Sequence, residues 1–385
     1  MMRPMKLAGS ELLFGEGSLI HLRSLKAKKI VIVLADDIMI KNGVMTIVED
    51  HLHAAGIHHA VFMGVESDPG LKTVLKGASF MMKEQPDLIL AIGGGSCMDA
   101  AKAMWIYYEH PNLSTLEPLM DKEHFPKLRN KARFACVPST AGTASEVSRS
   151  IVITDDETGI KYGIGNMEMM PDIAICDPLV TVSMPPRITA ETGMDAMVHA
   201  LEALVSTRAN YISDIFARQA ILDGFDVLPK VYRDGKNMEL RERMLNVSLI
   251  AGLAFTNVSL GIVHSIAHSL GSLFKMPHGL TNAILLPYVI SFNLHDGRAK
   301  KIYEELAKAL NVDHLAEAFM RLNASLDLPL ALKYRLSDEK EFMAKLEDLI
   351  TLSIQDGCTK TNPIIPNRNQ FRTLILDAYH GHMKS

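Results

Sequence analysis

The sequence predicts an α/β fold in its first half and an all-helical fold in its second half. Between residues 29 and 92, short β-branched runs alternate with amphipathic stretches, a pattern typical of a parallel sheet with crossover helices. After Asp177-Pro178 strand-like runs nearly vanish, and helical periodicity dominates from about residue 188 onward. Met184-Pro185-Pro186-Arg187 predicts a stiff connector. The expected domains are residues 1–180 and 181–385.

The elements of the first half follow in order along the chain. Amphipathic stretches near 38–55 and 71–84 predict helices between the first strands. In the second half, the most apolar stretch is 245–260, but polar residues interrupt it, so it predicts a buried helix and no membrane span. Six apolar runs predict strands, the last two as a hairpin layer: 29–34, 60–63, 87–92, 133–137, 151–154 and 172–176.

Composition excludes several classes of partner. The chain has 385 residues, a net charge of -4 and a pI near 6.4, which gives no support for binding nucleic acid or an anionic membrane. The first residues, Met1–Lys6, lack the apolar run of a signal peptide. Four cysteines lie far apart without a CxxC pair, which is typical of reduced thiols. We therefore expect a cytoplasmic protein.

A glycine-rich segment follows the third predicted strand. Gly93-Gly94-Gly95-Ser96 stands before a helical pattern, with Ser96 as an N-cap and Asp99 three residues on as in a capping box. Glycines let the backbone approach a phosphate, and a helix N-terminus attracts anions. A plain strand-to-helix turn is the alternative, because GxGxxG is absent. The position after βα units favours a pyrophosphate site.

Two further segments of the first half could contact a dinucleotide. Asp36 ends the first predicted strand, where an acid can accept hydrogen bonds from ribose hydroxyls and would repel a 2′-phosphate, which favours NAD. Asp36 could equally cap the next helix, a role that Asp37 could share. The small hydroxyl residues of 138–146 could donate to phosphate or cap a helix.

The second half carries an acid and three histidines that suit a metal. Asp195 and His199 lie four residues apart, so one helix face presents both. His264 and His278 could complete the site from elsewhere in the chain. One carboxylate and three imidazoles suit Fe(II) or Zn(II), and a substrate oxygen could complete the coordination of a Lewis acid. The segments are largely apolar, where unsatisfied polar groups are costly to bury.

One more histidine stands beside this set. His268 lies four residues after His264, so the two share a helix face. It could orient a ligand or relay a proton near the reacting carbon. A packed, hydrogen-bonded histidine without chemical duty is the alternative.

In its ordered motifs the chain resembles the iron-containing (group III) alcohol dehydrogenases over nearly its whole length. The motifs are Gly93–Ser96 with Asp99 and Lys102, Ser139–Glu146, Gly193–Asp195 with His199 and Glu202, Ala251–Phe255 with Gly261, His264 and His268, and Pro277–Gly279. The chain departs from the family at two positions, where Ala144 replaces a common glycine and Asp68 replaces a frequent asparagine.

The resemblance implies a dehydroquinate synthase-like fold, with a nucleotide-binding α/β domain, a helical metal-binding domain and the active site between them. It implies that His268 is the catalytic histidine. Phe255 and Cys358 are implied to shape the substrate pocket. The implied metal ligands are Asp195, His199, His264 and His278. The residues implied to contact NAD are Asp36, Gly94, Gly95, Ser96, Asp99, Thr140, Thr143, Lys161 and Leu179.

The implied chemistry is reversible, NAD(H)-dependent oxidation of a small primary alcohol or diol to the aldehyde, assisted by Fe(II) or alternatively Zn(II). Glycerol dehydrogenase-like and maleylacetate reductase-like oxidoreductases are alternatives on the same scaffold. A non-catalytic nucleotide- or metal-binding module is a more distant one. The expected partner is a small alcohol or aldehyde, with no nucleic acid and no membrane. The resemblance also implies a homodimer or larger homo-oligomer.

Overall fold

The computed structural model describes residues 5–121 and 123–383. Part of the segment that argued against a signal peptide, residues 1–4, lies outside these residues. The chain forms two compact units. Unit 1 comprises Met1–Met184 and Lys236–Asn246, and unit 2 comprises Pro185–Gly235 and Val247–Ser385.

Unit 1 contains a six-stranded parallel sheet with the order β1-β8-β5-β4-β2-β3. Its strands are β1 (Glu11–Phe14), β2 (Lys29–Leu34), β3 (His58–Met63), β4 (Leu88–Gly93), β5 (Arg133–Pro138) and β8 (Ile173–Cys176). A separate antiparallel pair consists of β6 (Ser150–Thr154) and β7 (Lys161–Gly165).

The predicted hairpin layer was therefore half wrong. The run 151–154 does form a hairpin, but with Lys161–Gly165, and 172–176 joins the main sheet. Two strands were not predicted from the apolar patterns. Glu11–Phe14 is short and pairs on one side with β8 alone, and Lys161–Gly165 contains two glycines that weaken its strand pattern.

Helices cover both faces of the main sheet. They are α1 (Ile38–Lys41), α2 (Val44–Ala54), α3 (Leu71–Glu84), α4 (Gly95–Glu109) and α5 (Glu117–Met120). Successive strand residues point to opposite faces. In β2, Val31 and Val33 therefore pack into one core with α3 and α4, while Ile30 and Ile32 pack into another with α2. A sheet buried on both faces explains why its strands read as continuous apolar runs.

The strand order changes direction around β2. β2 pairs with β3 on one side and with β4 on the other, so the chain crosses from one side of β2 to the other between β3 and β4. In open parallel sheets, ligands bind outside the carboxyl ends of strands at such a point. Asp36 follows β2 and Gly94 follows β4, so both lie at this edge.

Unit 2 is helical, and no strand occurs among the described residues after Cys176. This confirms the predicted fold class. The helices of the second half of the chain follow, and α8 begins in the Lys236–Asn246 segment of unit 1. They are α6 (Pro186–Val205), α7 (Tyr211–Arg233), α8 (Met238–Val258), α9 (Ile262–Phe274), α10 (His278–Asn293), α11 (Gly297–Ala309), α12 (Leu315–Ser325), α13 (Glu339–Gln355) and α14 (Arg368–His380).

The predicted stiff connector is already partly helical. α6 begins at Pro186, with Pro185 as its N-cap, because proline lacks an N–H that the first turn would leave unpaired. As for membrane spans, no single helix in the described part of the chain has the required length and apolarity. The pair α8 and α9 reaches them only when the two helices are counted together, and they are bent by 98°.

Candidate metal centre and dinucleotide site

α6 presents three polar side chains on one face. Asp195, His199 and Glu202 are spaced by four and three residues and therefore share that face. All three are buried, with 2%, 5% and 4% of their surfaces exposed. Burying an acid without partners would cost several kcal/mol, so this face requires partners from neighbouring helices.

α9 and α10 supply those partners. His264 lies in the first turn of α9, and His278 is the first residue of α10. Gly279 allows α10 to approach α6, since a Cβ at this position would lie 2.3 Å from the backbone oxygen of Glu191 and 3.5 Å from the Cβ of Asp195. The glycine of the Pro277-His278-Gly279 motif thus has a packing role that brings His278 to Asp195.

The four predicted ligands converge. Asp195 Oδ1 lies 3.6 Å from His278 Nε2 and 3.7 Å from His264 Nε2, and Asp195 Oδ2 lies 3.9 Å from His199 Nδ1. One ligand atom from each residue lies within 4.8 Å of the others. A tetrahedral cation with bonds of about 2.1 Å holds its ligand atoms about 3.4 Å apart. The donor set therefore fits a divalent cation with little rearrangement.

Asn282 shows that the acceptor atoms aim at a common point. Its Nδ2 lies 2.7 Å from Asp195 Oδ1, 3.2 Å from His264 Nε2 and 3.1 Å from His278 Nε2. One amide nitrogen lies within hydrogen-bond distance of all three atoms, so the three atoms face the same place. The side chain of Asn282 is fully buried, so this arrangement is set by helix packing.

Glu202 holds the ring of His264. Its carboxylate accepts from the Nδ1 of His264 at 2.6 Å and from the backbone N–H groups of Gly261 and Val263 at 2.9 and 2.7 Å. The acid caps the start of α9 and leaves the Nε2 of His264 directed at Asp195. A carboxylate on the second ring nitrogen is the usual way in which proteins orient a metal-binding histidine.

Electrostatics favour a cation at this place. Burial acts to raise the pKa of Asp195, but the surrounding imidazoles lower it far below the ordinary carboxyl value, so the group is ionised at neutral pH. Burial acts to lower the pKa of His264, but the carboxylates of Asp195 and Glu202 raise it to about 9. Two buried carboxylates thus create a negative environment that attracts positive charge.

The other predicted residues of unit 2 surround this cluster. The ring of Phe255 stacks on His199 at 4.4 Å between centroids. The ring of His268 stacks on His278 at 5.4 Å with an interplanar angle of 12°. His268, Asp356 and Cys358 form a second group of side chains whose polar atoms lie within 4.8 Å of one another. The structure therefore brings together all seven residues predicted in the helical half.

In unit 1, most of the residues predicted to contact a dinucleotide follow carboxyl ends of strands. Thr140 and Thr143 follow β5 and stand against the glycine segment after β4. A Cβ on Gly94 would meet the Thr140 side chain at 3.4 Å, and one on Gly95 would meet the Thr143 side chain at 2.6 Å. The Oγ1 of Thr140 is buried and has no hydrogen-bond partner in the described part of the chain, as expected of a hydroxyl placed to bind a ligand.

The predicted capping box is absent. α4 begins at Gly95 with Gly94 as its N-cap and no side-chain capping bond. The Ser96 hydroxyl instead donates to the backbone oxygen of Ser67. Asp99 accepts from Ser145 Oγ at 2.6 Å and from Val152 N at 3.0 Å. Glycine at the start of α4 leaves the backbone N–H groups of the first turn accessible. The absence of a side-chain cap is therefore compatible with an anion-binding site at this helix.

The remaining predicted contacts have protein partners. Asp36 Oδ1 accepts from the N–H of Ile38, the first residue of α1, at 2.8 Å, and its exposed side chain keeps a second oxygen. The N-cap residue of α1 is Asp37, which makes no side-chain capping bond. Lys161 Nζ pairs with Asp68 at 2.6 Å. Leu179 lies in the short 3₁₀ helix Pro178–Thr181 that follows β8, and its partly buried side chain packs against the core. Ala144 adopts a left-handed φ of 49°, which explains why glycine suits this position.

Sequence reasoning assigned no role to Glu202, Asn282 or Asp356. Glu202 could have been found, because it lies seven residues after Asp195 and three after His199 on one helix face. Asn282 has a similar signal, four residues after His278. Asp356 has none, since it is separated from His268 by 88 residues.

Comparison with known proteins identifies the class. The model of the iron-containing alcohol dehydrogenase family matches residues 9–178, and that of the C-terminal region of the Fe-containing alcohol dehydrogenase family matches residues 189–379. The chain belongs to this family, which confirms the resemblance seen in the sequence. It is accordingly an enzyme, an alcohol oxidoreductase.

Particular relatives agree. The chain is 42% identical to the NADPH-dependent butanol dehydrogenase of Clostridium saccharobutylicum over 96% of this chain and 97% of that protein. It is 37% identical to the bifunctional aldehyde-alcohol dehydrogenase of Escherichia coli K12 over 92% of this chain, but spans only 43% of that longer protein. The structure of an iron-containing alcohol dehydrogenase from Thermococcus thioreducens superposes with a TM-score of 0.90 at 32% identity, covering 99% and 100% of the two chains.

Proposed function

We propose that this enzyme catalyses reversible, NAD(H)-dependent oxidation of a small primary alcohol or diol to the aldehyde, with a divalent cation held by Asp195, His199, His264 and His278. The observation that supports it most is the convergence of one carboxylate and three imidazoles from three helices in a chain of the alcohol dehydrogenase family. Such a cation polarises an alcohol or carbonyl oxygen. Fe(II) is the preferred ion and Zn(II) the alternative, because both accept these ligands.

The dinucleotide site is proposed at the carboxyl edge of the sheet. The N–H groups at Gly95 and Ser96 and the hydroxyl of Thr140 donate to the pyrophosphate, with Gly94 and Thr143 forming the close walls. Asp99 supports the segment through Ser145, and Lys161 and Leu179 border the nicotinamide end. The nicotinamide supplies the hydride chemistry.

Asp36 is the residue proposed to determine the preference for NAD over NADP. Its unused carboxylate oxygen is placed to accept from a ribose hydroxyl and repels a 2′-phosphate, which favours NAD. The butanol dehydrogenase relative is described as NADPH-dependent, whereas a structurally similar sulfoacetaldehyde reductase was solved in complex with NAD⁺, so Asp36 is the residue to test. Asp36→Gly should raise kcat/KM with NADP by about tenfold or more relative to NAD, since it removes one repelling charge. Steady-state kinetics with both dinucleotides measure this ratio, and an unchanged ratio would remove Asp36 from the role.

His268 is proposed to accept the proton that the alcohol releases, directly or through water, and to return it in the reverse direction. Phe255 and Cys358 are proposed to shape the substrate pocket, where each contact contributes only modest discrimination. A homo-oligomeric state and a cytoplasmic location, both expected from the sequence, remain proposals.

One experiment tests the central proposal. Purified protein loaded anaerobically with Fe(II), and separately with Zn(II), is assayed for NADH formation with a panel of ethanol, butanol, propanediols, glycerol and lactaldehyde, with and without chelator. We expect metal-dependent NADH formation with primary alcohols or diols. His264→Ala should lose bound metal and nearly all activity. Full activity of metal-free protein would refute the role of the cation, and strong preference for glycerol or for reduction of an unsaturated acid would favour the glycerol dehydrogenase-like or maleylacetate reductase-like alternative.

A further inference from the structure

α9 carries two histidines one turn apart, and a carboxylate engages the same ring nitrogen of each. The Nδ1 of His264 lies 2.6 Å from Glu202, and the Nδ1 of His268 lies 2.8 Å from Asp356 Oδ2. In both rings a carboxylate holds Nδ1, and Nε2 is the other ring nitrogen. For His264 that nitrogen faces Asp195. The same construction on His268 implies that its Nε2 also has a chemical task.

The two carboxylate oxygens of Asp356 have different partners, and Oδ2 contacts His268. It precedes the short 3₁₀ helix Gly357–Thr361, and its Oδ1 accepts from the N–H of Cys358 at 2.8 Å. Ser265 Oγ lies 3.5 Å from the same oxygen. Oδ2 is thereby left to His268. Burial acts to raise the pKa of Asp356, but His268 and the surrounding hydrogen bonds lower it well below the ordinary value, so the acceptor is a carboxylate.

The plane of the His268 ring is fixed as well. The ring stacks on His278 at 5.4 Å with an interplanar angle of only 12°, and a quarter of its side-chain surface is exposed. A 180° flip of the ring would keep this stack but would break the hydrogen bond between Nδ1 and Asp356 Oδ2. The proton on Nδ1 and the lone pair on Nε2 are therefore set by Asp356.

We propose that Asp356 is a positioning residue that holds a ring proton of His268 on Nδ1, so that the Nε2 lone pair accepts the proton of the substrate alcohol. This inference rests on the proposed function and deepens it. The O–H bond of the alcohol breaks, its electron pair stays on the oxygen, and the proton binds Nε2. Asp356 then stabilises the imidazolium, and in the reverse direction Nε2 returns the proton.

Asp356→Asn separates this role from simple capping. The asparagine Oδ1 can still accept from the N–H of Cys358, so the 3₁₀ helix keeps its cap. Its NH₂ group, however, would face Nδ1 of His268 and donate to it. Nδ1 then becomes the acceptor and the proton moves to Nε2, which can no longer accept a proton from the alcohol.

The first measurement reads the tautomer directly. In ¹⁵N-histidine-labelled, zinc-loaded protein, long-range ¹H–¹⁵N spectra should assign His268 as the Nδ1–H form in the wild type and as the Nε2–H form in Asp356→Asn. An Nε2–H form in the wild type, or the same form in both proteins, would overturn the proposal. Because the wild-type spectrum alone is informative, the test survives a variant that fails to fold.

The second measurement reads the consequence for turnover. Loss of a carboxylate that orients a histidine commonly costs about ten- to hundredfold in activity, so Asp356→Asn should lose that much kcat with little change in KM and with full metal content. Asp356→Glu, which keeps the carboxylate, should recover part of the loss. In a His268→Ala background, Asp356→Asn should have no further effect on kcat. Additive losses, or a loss of bound metal, would contradict an action through His268.

The matched control is Asp338→Asn. Asp338 caps α13 by accepting from Glu341 N at 3.0 Å, so the same substitution there removes only a cap and should leave kcat unchanged. A wild-type enzyme that forms no NADH with any alcohol would refute the proposed function itself, whereas the tautomer spectra would still decide the position of the proton.

Discussion

Glu202 illustrates how one residue can serve two structural purposes. Its carboxylate receives three hydrogen bonds, two from the backbone at the start of α9 and one from the His264 ring. Glutamine has one acceptor oxygen and no charge, so it cannot satisfy all three donors. Glu202→Gln should therefore weaken metal affinity by about ten- to hundredfold.

Metal titration of the apo-protein, followed by calorimetry or a competing chelator, measures that affinity. Glu305→Gln is the control, because Glu305 pairs with Arg218 at the partly exposed surface of unit 2 and should leave the affinity unchanged. Equal affinity of Glu202→Gln and the wild type would show that the His264 ring needs no carboxylate to bind the ion.

Glu146 is a second residue with an unusual environment. Only 1% of its surface is exposed, and neither carboxylate oxygen has a hydrogen-bond partner among residues 5–121 and 123–383. Burial raises the pKa of Glu146 from 4.5 to about 7. Between these pH values the unfolded chain has released the proton while the folded protein keeps it, so stability falls as pH rises through this window.

Glu146→Gln should therefore flatten the pH dependence of Tm between pH 4.5 and 7 and stabilise the protein above it, by on the order of 3 kcal/mol. Thermal unfolding at a series of pH values measures the effect. Glu304→Gln, which alters an exposed pair with Lys300, serves as control and should keep the wild-type curve. A wild-type slope retained by Glu146→Gln would assign the pH dependence to other groups.

The roles of single residues were predicted unevenly from the sequence. Asp195, His199 and Glu202 are spaced on one helix face, so their proximity follows from helix geometry alone. The partners Asn282 and Asp356 depend on how helices pack, and no local spacing encodes the 87 residues between Asn282 and Asp195. Ser96 was read as a cap because serine caps helices often, but the glycine before it starts the helix.

Among the elements, the segment from β4 to α4 depends on its contact with the segment after β5. Lys102 of α4 is fully buried and donates to Ser145 O at 2.7 Å and to Ser148 O at 3.0 Å. This lysine holds the hydroxyl-rich segment in place, so that Thr143 stands against Gly95. A Cβ on Gly95 would lie 2.6 Å from Thr143 Cγ2, which is far inside van der Waals contact.

Gly95→Ala should therefore displace one of the two segments and weaken dinucleotide binding by about tenfold or more, which corresponds to about 1.4 kcal/mol. Titration of NADH fluorescence measures the dissociation constant. Gly297→Ala is a matched control, since Gly297 is also the first residue of its helix and has open space around it. Unchanged NADH affinity in Gly95→Ala would place the dinucleotide elsewhere.

Elements with strong local patterns were predicted well and those with weak patterns were missed. The central strands are buried on both faces, and their apolar runs match the structure within one or two residues. The helix predicted near 71–84 also matches α3, but the stretch predicted near 38–55 is divided into α1 and α2, because Gly43 adopts a left-handed φ of 84° between them. β1 and β7 are short and rely on pairing with distant strands. Their formation is decided by tertiary contacts that a local pattern does not contain.

At the scale of the whole molecule, a bound cation should stabilise the fold. Anything that binds the folded state alone raises its stability by mass action, by about 2.7 kcal/mol when the free ion exceeds its Kd a hundredfold. Removing the metal with a chelator should thus lower the Tm of unit 2 by about 5 to 10 °C. Differential scanning calorimetry with metal analysis measures the shift, and refilling with Fe(II) or Zn(II) should reverse it.

His264→Ala is the control, because a chelator should leave its Tm unchanged. An unchanged wild-type Tm after proven metal loss would mean that these four side chains bind no ion in the folded protein.

The fold class and the family could be predicted from ordered motifs spread over nearly the whole chain, whereas the substrate could not, because it depends on a few pocket contacts.

The predicted ligands come from the beginnings and middles of α6, α9 and α10, with the long helices α7 and α8 between them in the chain. A nascent polypeptide cannot assemble this set before all three helices have been synthesised and packed. Acquisition of the ion is therefore a late event in biogenesis. The ions available to the folded protein then decide which metal the enzyme contains. At equal supply, copper and zinc would outcompete iron for these ligands.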